Sequence, residues 1–278
     1  MTRVTNILKR IPLYIWILMF TIIPLLMILV YAVFEFRPDG VHFTLVHLKN
    51  AVTEPLYIQS LLRSLKYALI STLICLALGY PLAYILSRMN DKMRSFLSML
   101  LLLPMWMNFI IRTYAMLSLI DEEGIITKLL GGFMLKGTDS AIIIGMVYNF
   151  LPFLVLPIYT SMMKIDKNLI EAAQDLGGNS LHVFTGVVLP LTVPGIVSGI
   201  TMVFVPCVTT FVIPQLMNNN VWTIGKLIEY KFISNASADG VDPDGGALSF
   251  ILMILVFISM SIFNLIDKDD ESAGGYTL

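Results

Sequence analysis

Six stretches of this chain run for about twenty residues with hardly a charge in them, the number of helical residues that crosses a bilayer's hydrocarbon core. They fall at about Ile11–Phe34, Leu65–Leu86, Phe96–Leu119, Ala141–Met163, Val187–Ile213 and Leu248–Ile266. In hydrocarbon every backbone amide must find its partner inside the protein, so each run is expected to fold as a helix. The fold class that follows is an all-α integral membrane protein with six transmembrane helices. Composition agrees: 57% of the 278 residues are hydrophobic, 13% are charged, and the mean hydropathy is +0.82. A soluble domain is excluded. The net charge of -1 carries no basic excess that would point to nucleic acid.

Arg3, Lys9 and Arg10 precede the first run, which is too long for a signal-peptide core and has no small-x-small cleavage site after it. An uncleaved first span is expected, and six spans place both termini on one side. Lysine and arginine counts are nine on that side and eight on the other. Their density breaks the tie, because Arg3–Arg10 and Arg88–Arg94 each pack three cations into a short flank. The termini are therefore expected in the cytoplasm. The chain then divides into residues 1–60 (flank, first span, outer segment), a core of five spans at 61–266, and a short tail at 267–278. A cytoplasmic loop at 164–190 lies inside the core. The outer segments are Glu35–Ser64, Asp121–Ser140 and Gln215–Ala247. In the last, Val221, Ile224, Leu227, Ile228 and Phe232 form an amphipathic pattern expected to lie along the membrane surface rather than plug the outer mouth. Turns are expected at Asp239-Gly240 and Asp242–Gly246, and disorder in the acidic tail after Lys268.

The cytoplasmic loop holds a polar island, Glu171–Pro190, between two apolar runs. Asp166 or Asn168 can cap a short helix, Gly177 and Gly178 stop it, and Asn179 or Ser180 can cap a second one. Leu169, Ala172, Ala173 and Leu176 recur at three- and four-residue steps and form one apolar stripe, with Glu171, Gln174 and Asp175 off it. Such a face either packs on the chain's own spans or docks into a groove on a partner.

Glu171-Ala172-Ala173, Gly177 six residues after the glutamate, and Val187-x-Leu189-Pro190 resemble the EAA loop of permease subunits of bacterial ABC importers, with Val187 where the family usually has isoleucine. The resemblance implies a type I importer (MetI-like) permease fold in the bacterial inner membrane. It also implies that the first short helix is a coupling helix for a cytoplasmic ATPase subunit, with Leu169, Glu171, Ala172, Ala173, Asp175, Leu176, Gly177, Leu189 and Pro190 as ATPase-coupling residues. The partners implied are a second permease subunit, two ATPase copies and an extracytoplasmic substrate-binding protein. No cofactor is expected on this chain, and ATP with Mg is expected on the ATPase, so the chain itself is not an enzyme.

Apart from Lys66 at the very edge of the second run, the one charged side chain within the spans is Arg112. It either pairs with an acid such as Glu35, Asp121 or one on a partner subunit, or serves as a gate or lining group. Trp106, Asn108 and Tyr114 share its span, and Asn108, Arg112 and Trp106 are expected to form a polar stripe on one helix. Tyr148 and Asn149 make a second polar pair in the fourth span. These six are the substrate-pathway candidates, set against an interfacial aromatic belt and interhelical packing. Cys75 and Cys207 sit in apolar runs and act as small hydrophobes, and His42, His47 and His182 are expected to be solvated loop residues with no metal among them. The segments Leu103–Asn108, Ile111–Tyr114, Leu78–Ser87 and Leu151–Gly177 resemble the spermidine/putrescine permeases of the family. That implies ATP-driven uptake of polyamines, elongated cations that aromatic faces suit. The alternatives are another solute (sulfate, iron, an amino acid) or a secondary transporter, for which mid-membrane carboxylates are lacking.

Overall fold

The computed structural model describes residues 12–37, 40–129, 131–234 and 242–273. In chain order the elements are α1 (Pro12–Val33), a hairpin of β1 (Phe34–Arg37) and β2 (Gly40–Phe43), α2 (Val46–Thr53), α3 (Pro55–Arg88), α4 (Asp91–Trp106) and α5 (Phe109–Ile120). They continue with α6 (Ile125–Leu129), α7 (Asp139–Met163), α8 (Lys167–Asp175), α9 (Ser180–Thr209), α10 (Val212–Met217), α11 (Ile224–Glu229) and α12 (Pro243–Ala273). Helices α1, α3, α7, α9 and the Pro243–Phe263 part of α12 are each long and apolar enough to cross a membrane; α4 and the α5–α6 segment (Phe109–Leu129) pass the same test together as a bent pair, which counted as one span brings the number to six. The expected helical count is thus met, with longer helices than the apolar runs alone suggest: α3 starts at Pro55, α9 at Ser180, and α12 continues to Ala273. The tail expected to be disordered after Lys268 is therefore helical as far as Ala273. Arg3, Lys9, Arg10, the Asp239-Gly240 turn and residues 274–278 lie outside the described residues.

Two compact units result. The first joins α1, the hairpin, α2 and the start of α3 to residues 227–255. Its hairpin pairs Phe34 with Phe43 and Glu35 with His42, the two phenylalanine rings meeting edge to face at 5.6 Å. A polar knot closes this unit at the start of α12. The Asp244 carboxylate faces His47 Nδ1 at 2.7 Å and accepts from the Tyr57 hydroxyl at 2.8 Å, while Lys231 Nζ donates to Asp242 at 2.8 Å. Burial alone would lower the Lys231 pKa, but its bonds to Asp242 and Tyr57 and the Asp242 charge outweigh it and hold the ammonium well above the usual lysine range. His47, expected to be solvated, is instead a largely buried member of this knot, with Glu35 3.8 Å from its other ring nitrogen.

The second unit holds residues 62–226 and the rest of α12, built around α7. Helix α9 packs along α7 through small residues: a Cβ added at Gly195 would lie 2.8 Å from the Pro157 carbonyl oxygen, so only glycine permits this approach. Tyr80 and Thr192 share a hydrogen bond of 3.0 Å between α3 and α9, and Phe184 meets the Tyr80 and Tyr84 rings edge to face. A π turn at Phe184–Val188 runs into Pro190, and another at Leu18–Ile22 into Pro24. The wider turn lets the helix pass a residue that has no N–H and whose ring crowds the preceding turn.

Two expectations are corrected here. The third span is not one helix over Phe96–Leu119: α4 and the α5–α6 segment meet at a 99° bend at Met107–Asn108. Pro104 weakens the last turn of α4, and the Asn108 side chain caps α5 by accepting from the Ile110 and Ile111 amides at 2.9 and 3.4 Å. In the outer segment, the amphipathic pattern does not lie along a surface. Ile224 and Leu227 are fully buried, Val221, Ile228 and Phe232 half-buried, and the Ile224 amide donates to Ser64 Oγ at 2.8 Å.

Candidate functional site

The polar island folds as two short helices meeting at a sharp turn. Asp166 is the cap of α8, its carboxylate accepting from the Asn168 amide at 3.0 Å, and Asn179 caps the start of α9 through the His182 amide at 2.8 Å. At the other end Gly177 takes φ +85°, its amide bonds the Gln174 carbonyl at 2.9 Å, and the Gly178 amide bonds the Ala173 carbonyl at 3.1 Å. This is the Schellman arrangement that glycine closes at least steric cost.

No residue of α8 is buried. Leu176 is 89% exposed and Leu169 51%, with Ala172 and Glu171 also exposed and Ala173 half-buried. The chain's own contact with α8 runs along Ile170 and Ala173, one step round the helix from the stripe read off the sequence. Ile170 lines a cavity of about 560 Å³ on one side of α8; Ala173 and Leu176 line one of about 410 Å³ on the other, with His182 and Val187. Leu189 is half-buried and Pro190 exposed beyond the π turn. The island therefore offers a rigidly capped helix whose leucines and alanine have no partner among the described residues.

The pathway candidates separate into two groups. Arg112 and Asn149 are buried and joined: Arg112 Nε donates to Asn149 Oδ1 at 2.7 Å, Nη2 to the Asn149 carbonyl at 3.4 Å, and Nη1 to the Pro104 carbonyl at 3.0 Å. Asn149 Nδ2 in turn donates to the Gly145 carbonyl at 2.8 Å and Thr113 Oγ1 at 3.4 Å. The Phe109 ring lies 5.8 Å from the guanidinium carbon. Arg112 thus staples α4, α5 and α7 across the break in the third span. Its hydrogen-bond partners among the described residues are neutral carbonyl and amide oxygens, and neither Glu35 nor Asp121 is among them. Trp106, Tyr114 and Tyr148 are 76%, 53% and 40% exposed, and Asn108 is exposed at the break. The expected stripe of Trp106, Asn108 and Arg112 on one helix face does not form, since the bend puts Trp106 on one helix and Arg112 on the next. Sequence reasoning missed Thr113 and Gly145, which complete the Asn149 hydrogen bonds; Pro104 followed by a cap-forming Asn108 was the signal for the bend.

Residues 76–268 match the model of the binding-protein-dependent transport system inner membrane component family. The chain belongs to this family. As a permease it is 36% identical over 259 residues to the spermidine/putrescine transport system permease protein PotB of Escherichia coli K12, covering 89% of this chain and 92% of the relative. The corresponding protein of Haemophilus influenzae is 35% identical over 266 residues, 91% of each chain. An Escherichia coli inner membrane ABC transporter permease protein, YdcU, is 27% identical over 76% of this permease and 72% of its own length. Among solved structures, a chain of a bacterial ABC transporter involved in the import of alginate superposes with TM-score 0.78 at 16% identity, covering 97% of this chain and 99% of that one. A chain of the inward-facing MetNI methionine ABC transporter gives TM-score 0.61 at 19% identity over 78% of this chain and 99% of its own. The type I importer permease fold expected from the EAA loop is the fold found.

Proposed function

We propose that this permease is a transmembrane subunit of an ATP-driven importer for polyamines of the spermidine and putrescine kind. The observation that carries the reading is its 36% identity, over nearly its whole length, to a permease named for those two solutes. In this account it pairs with a second permease, receives substrate from an extracytoplasmic binding protein, and is driven by two copies of a cytoplasmic ATPase that hold ATP and Mg. In this reading both termini and α8 lie in the cytoplasm, which the cation-dense flanks of the sequence support.

Coupling runs through α8. Leu169, Ala172 and Leu176 seat the helix in the ATPase subunit, Glu171 and Asp175 supply polar contacts at its edge, and the Gly177 cap keeps it rigid. Leu189 and Pro190 begin the stiff part of α9 that carries the motion into the spans. ATP binding must favour one state of the spans by several kcal/mol to shift the populations usefully, so a frayed α8 would waste it. The exposed aromatic side chains Trp106, Tyr114 and Tyr148 serve the substrate, each ring face worth about 0.5 to 2 kcal/mol to a desolvated ammonium. Arg112 and Asn149 fix the broken span on which two of those rings stand. Uptake of labelled spermidine by vesicles holding the assembled transporter, with putrescine, sulfate and an amino acid as competitors, tests the assignment. Competition by putrescine alone supports it, and competition by sulfate or the amino acid redirects the permease to another solute.

A further inference from the structure

The cavity of about 560 Å³ beside α8 has a chemistry that the coupling reading does not use. It opens where two spans end: Arg88 is the last residue of α3, Met163 the last of α7, and Lys167 and Ile170 belong to α8 itself. Three cations line it, Arg88, Arg94 and Lys167, against the single carboxylate of Asp91. That carboxylate is taken by Arg94 Nη2, whose neighbouring Nη1 rests on the Met163 sulfur at 3.7 Å. The Arg88 guanidinium carbon lies over the Tyr84 ring, 5.2 Å from its centroid, and a guanidinium on a ring face keeps its planar fork of N–H donors for an anion. Among the described residues no carboxylate pairs with Arg88 or Lys167. One part of the remaining wall is apolar, with Met162, Ile165, Ile170 and Val188, and Ser87 and Asn90 add neutral polar groups.

We infer that this cavity is a site for the phosphate of an anionic phospholipid headgroup. Planar guanidinium donors and a lysine suit a phosphate diester, the former in a two-toothed grip. The apolar wall takes the glycerol and the first acyl carbons, and the depth at which two spans end is that of the headgroup layer. Because Lys167 and Ile170 are on α8, a lipid seated here braces the helix from behind, on the side opposite its open leucine face. The inference needs only that the spans cross a bilayer, so it stands apart from the choice of solute.

The test uses the full chain purified with its membrane partners, without substrate or nucleotide, and reads bound lipid by native mass spectrometry after equilibration with equal phosphatidylglycerol and phosphatidylcholine. The wild type retains phosphatidylglycerol in preference by about tenfold or more, the scale of one hydrogen bond to a charged group. Arg88→Gln with Lys167→Gln removes the preference, and Arg88→Lys, which keeps the charge but not the fork, leaves part of it. A matched change at Lys136, which pairs with Asp121 elsewhere, leaves the preference whole and controls for a general loss of charge. Inorganic phosphate that displaces the lipid marks a site for free phosphate instead and overturns the assignment to lipid. Equal retention of both lipids by the wild type, or a preference that survives the double change, overturns the site itself. Loss of an ATPase subunit from the double variant with lipid preference intact also overturns it and assigns these cations to the protein partner.

Discussion

Arg112 shows how far a residue's chemistry depends on where its neighbours put it. A lone arginine in a membrane span reads as a functional charge, yet its donors go to Asn149 and the Pro104 carbonyl, and it serves the break in its own span. Arg112→Met leaves those buried acceptors without a donor at about 1 to 3 kcal/mol each. The purified protein should unfold at markedly lower temperature, with Arg112→Lys recovering only part. A variant of unchanged thermal midpoint that alters only substrate affinity would return Arg112 to the pathway. Trp106, at 76% exposure, is the opposite case. Trp106→Leu should leave the midpoint nearly unmoved while weakening polyamine uptake by about threefold to thirtyfold, the range of one cation–π contact. The sequence singled out both residues but could not separate them, because burial is decided by a 99° bend that is tertiary in its consequences.

At the scale of elements, α8 was the most legible part of the chain. Its caps, its glycine stop and its apolar stripe are local matters of propensity and period, and the structure meets each with Asp166, Gly177 and the exposed leucines. What periodicity could not give was the inward edge at Ile170, since nothing local says which side of a small helix meets the spans. Leu176→Ala should weaken binding of the ATPase subunit by about 1 to 2 kcal/mol, about tenfold, without changing membrane insertion. Gly177→Asp or Gly177→Ala forces a side chain into φ +85°, at about 1 kcal/mol or more, and should uncouple ATP hydrolysis from transport while the spans stay folded; normal coupled transport would remove α8 from the mechanism. Glu171→Lys is expected to act in the same direction. The outer knot was not legible at all, since it gathers His47, Tyr57, Lys231 and Asp244 from four separate segments. The Lys231 pKa is raised by folding, so its contribution is fully present below about pH 10.5, the value of a free lysine, and is lost as pH rises through the higher folded value. Lys231→Met should therefore lower the thermal midpoint about equally at pH 6 and pH 9; a loss confined to pH 6 would contradict this sign.

For the whole molecule, the number of spans and the position of the loop between the fourth and fifth were fixed by length and hydropathy, which depend on the bilayer rather than on packing. The finer architecture was not: the π turns before Pro24 and Pro190 and the break at Pro104 and Asn108 come from local proline and cap chemistry that a count of apolar residues does not register, and the buried outer helix α11 comes from tertiary packing. The resulting permease has its two kinds of candidate site on separate elements, with the exposed rings on α4, α5 and α7 and the open leucines on α8. Transport requires that occupancy at one be felt at the other. The most direct measurement of that link is ATP hydrolysis by the reconstituted complex with its binding protein, comparing spermidine, putrescine, sulfate and an amino acid. The account predicts stimulation by the two polyamines alone, abolished by Gly177→Asp; stimulation by sulfate or the amino acid, or none by either polyamine, would contradict it.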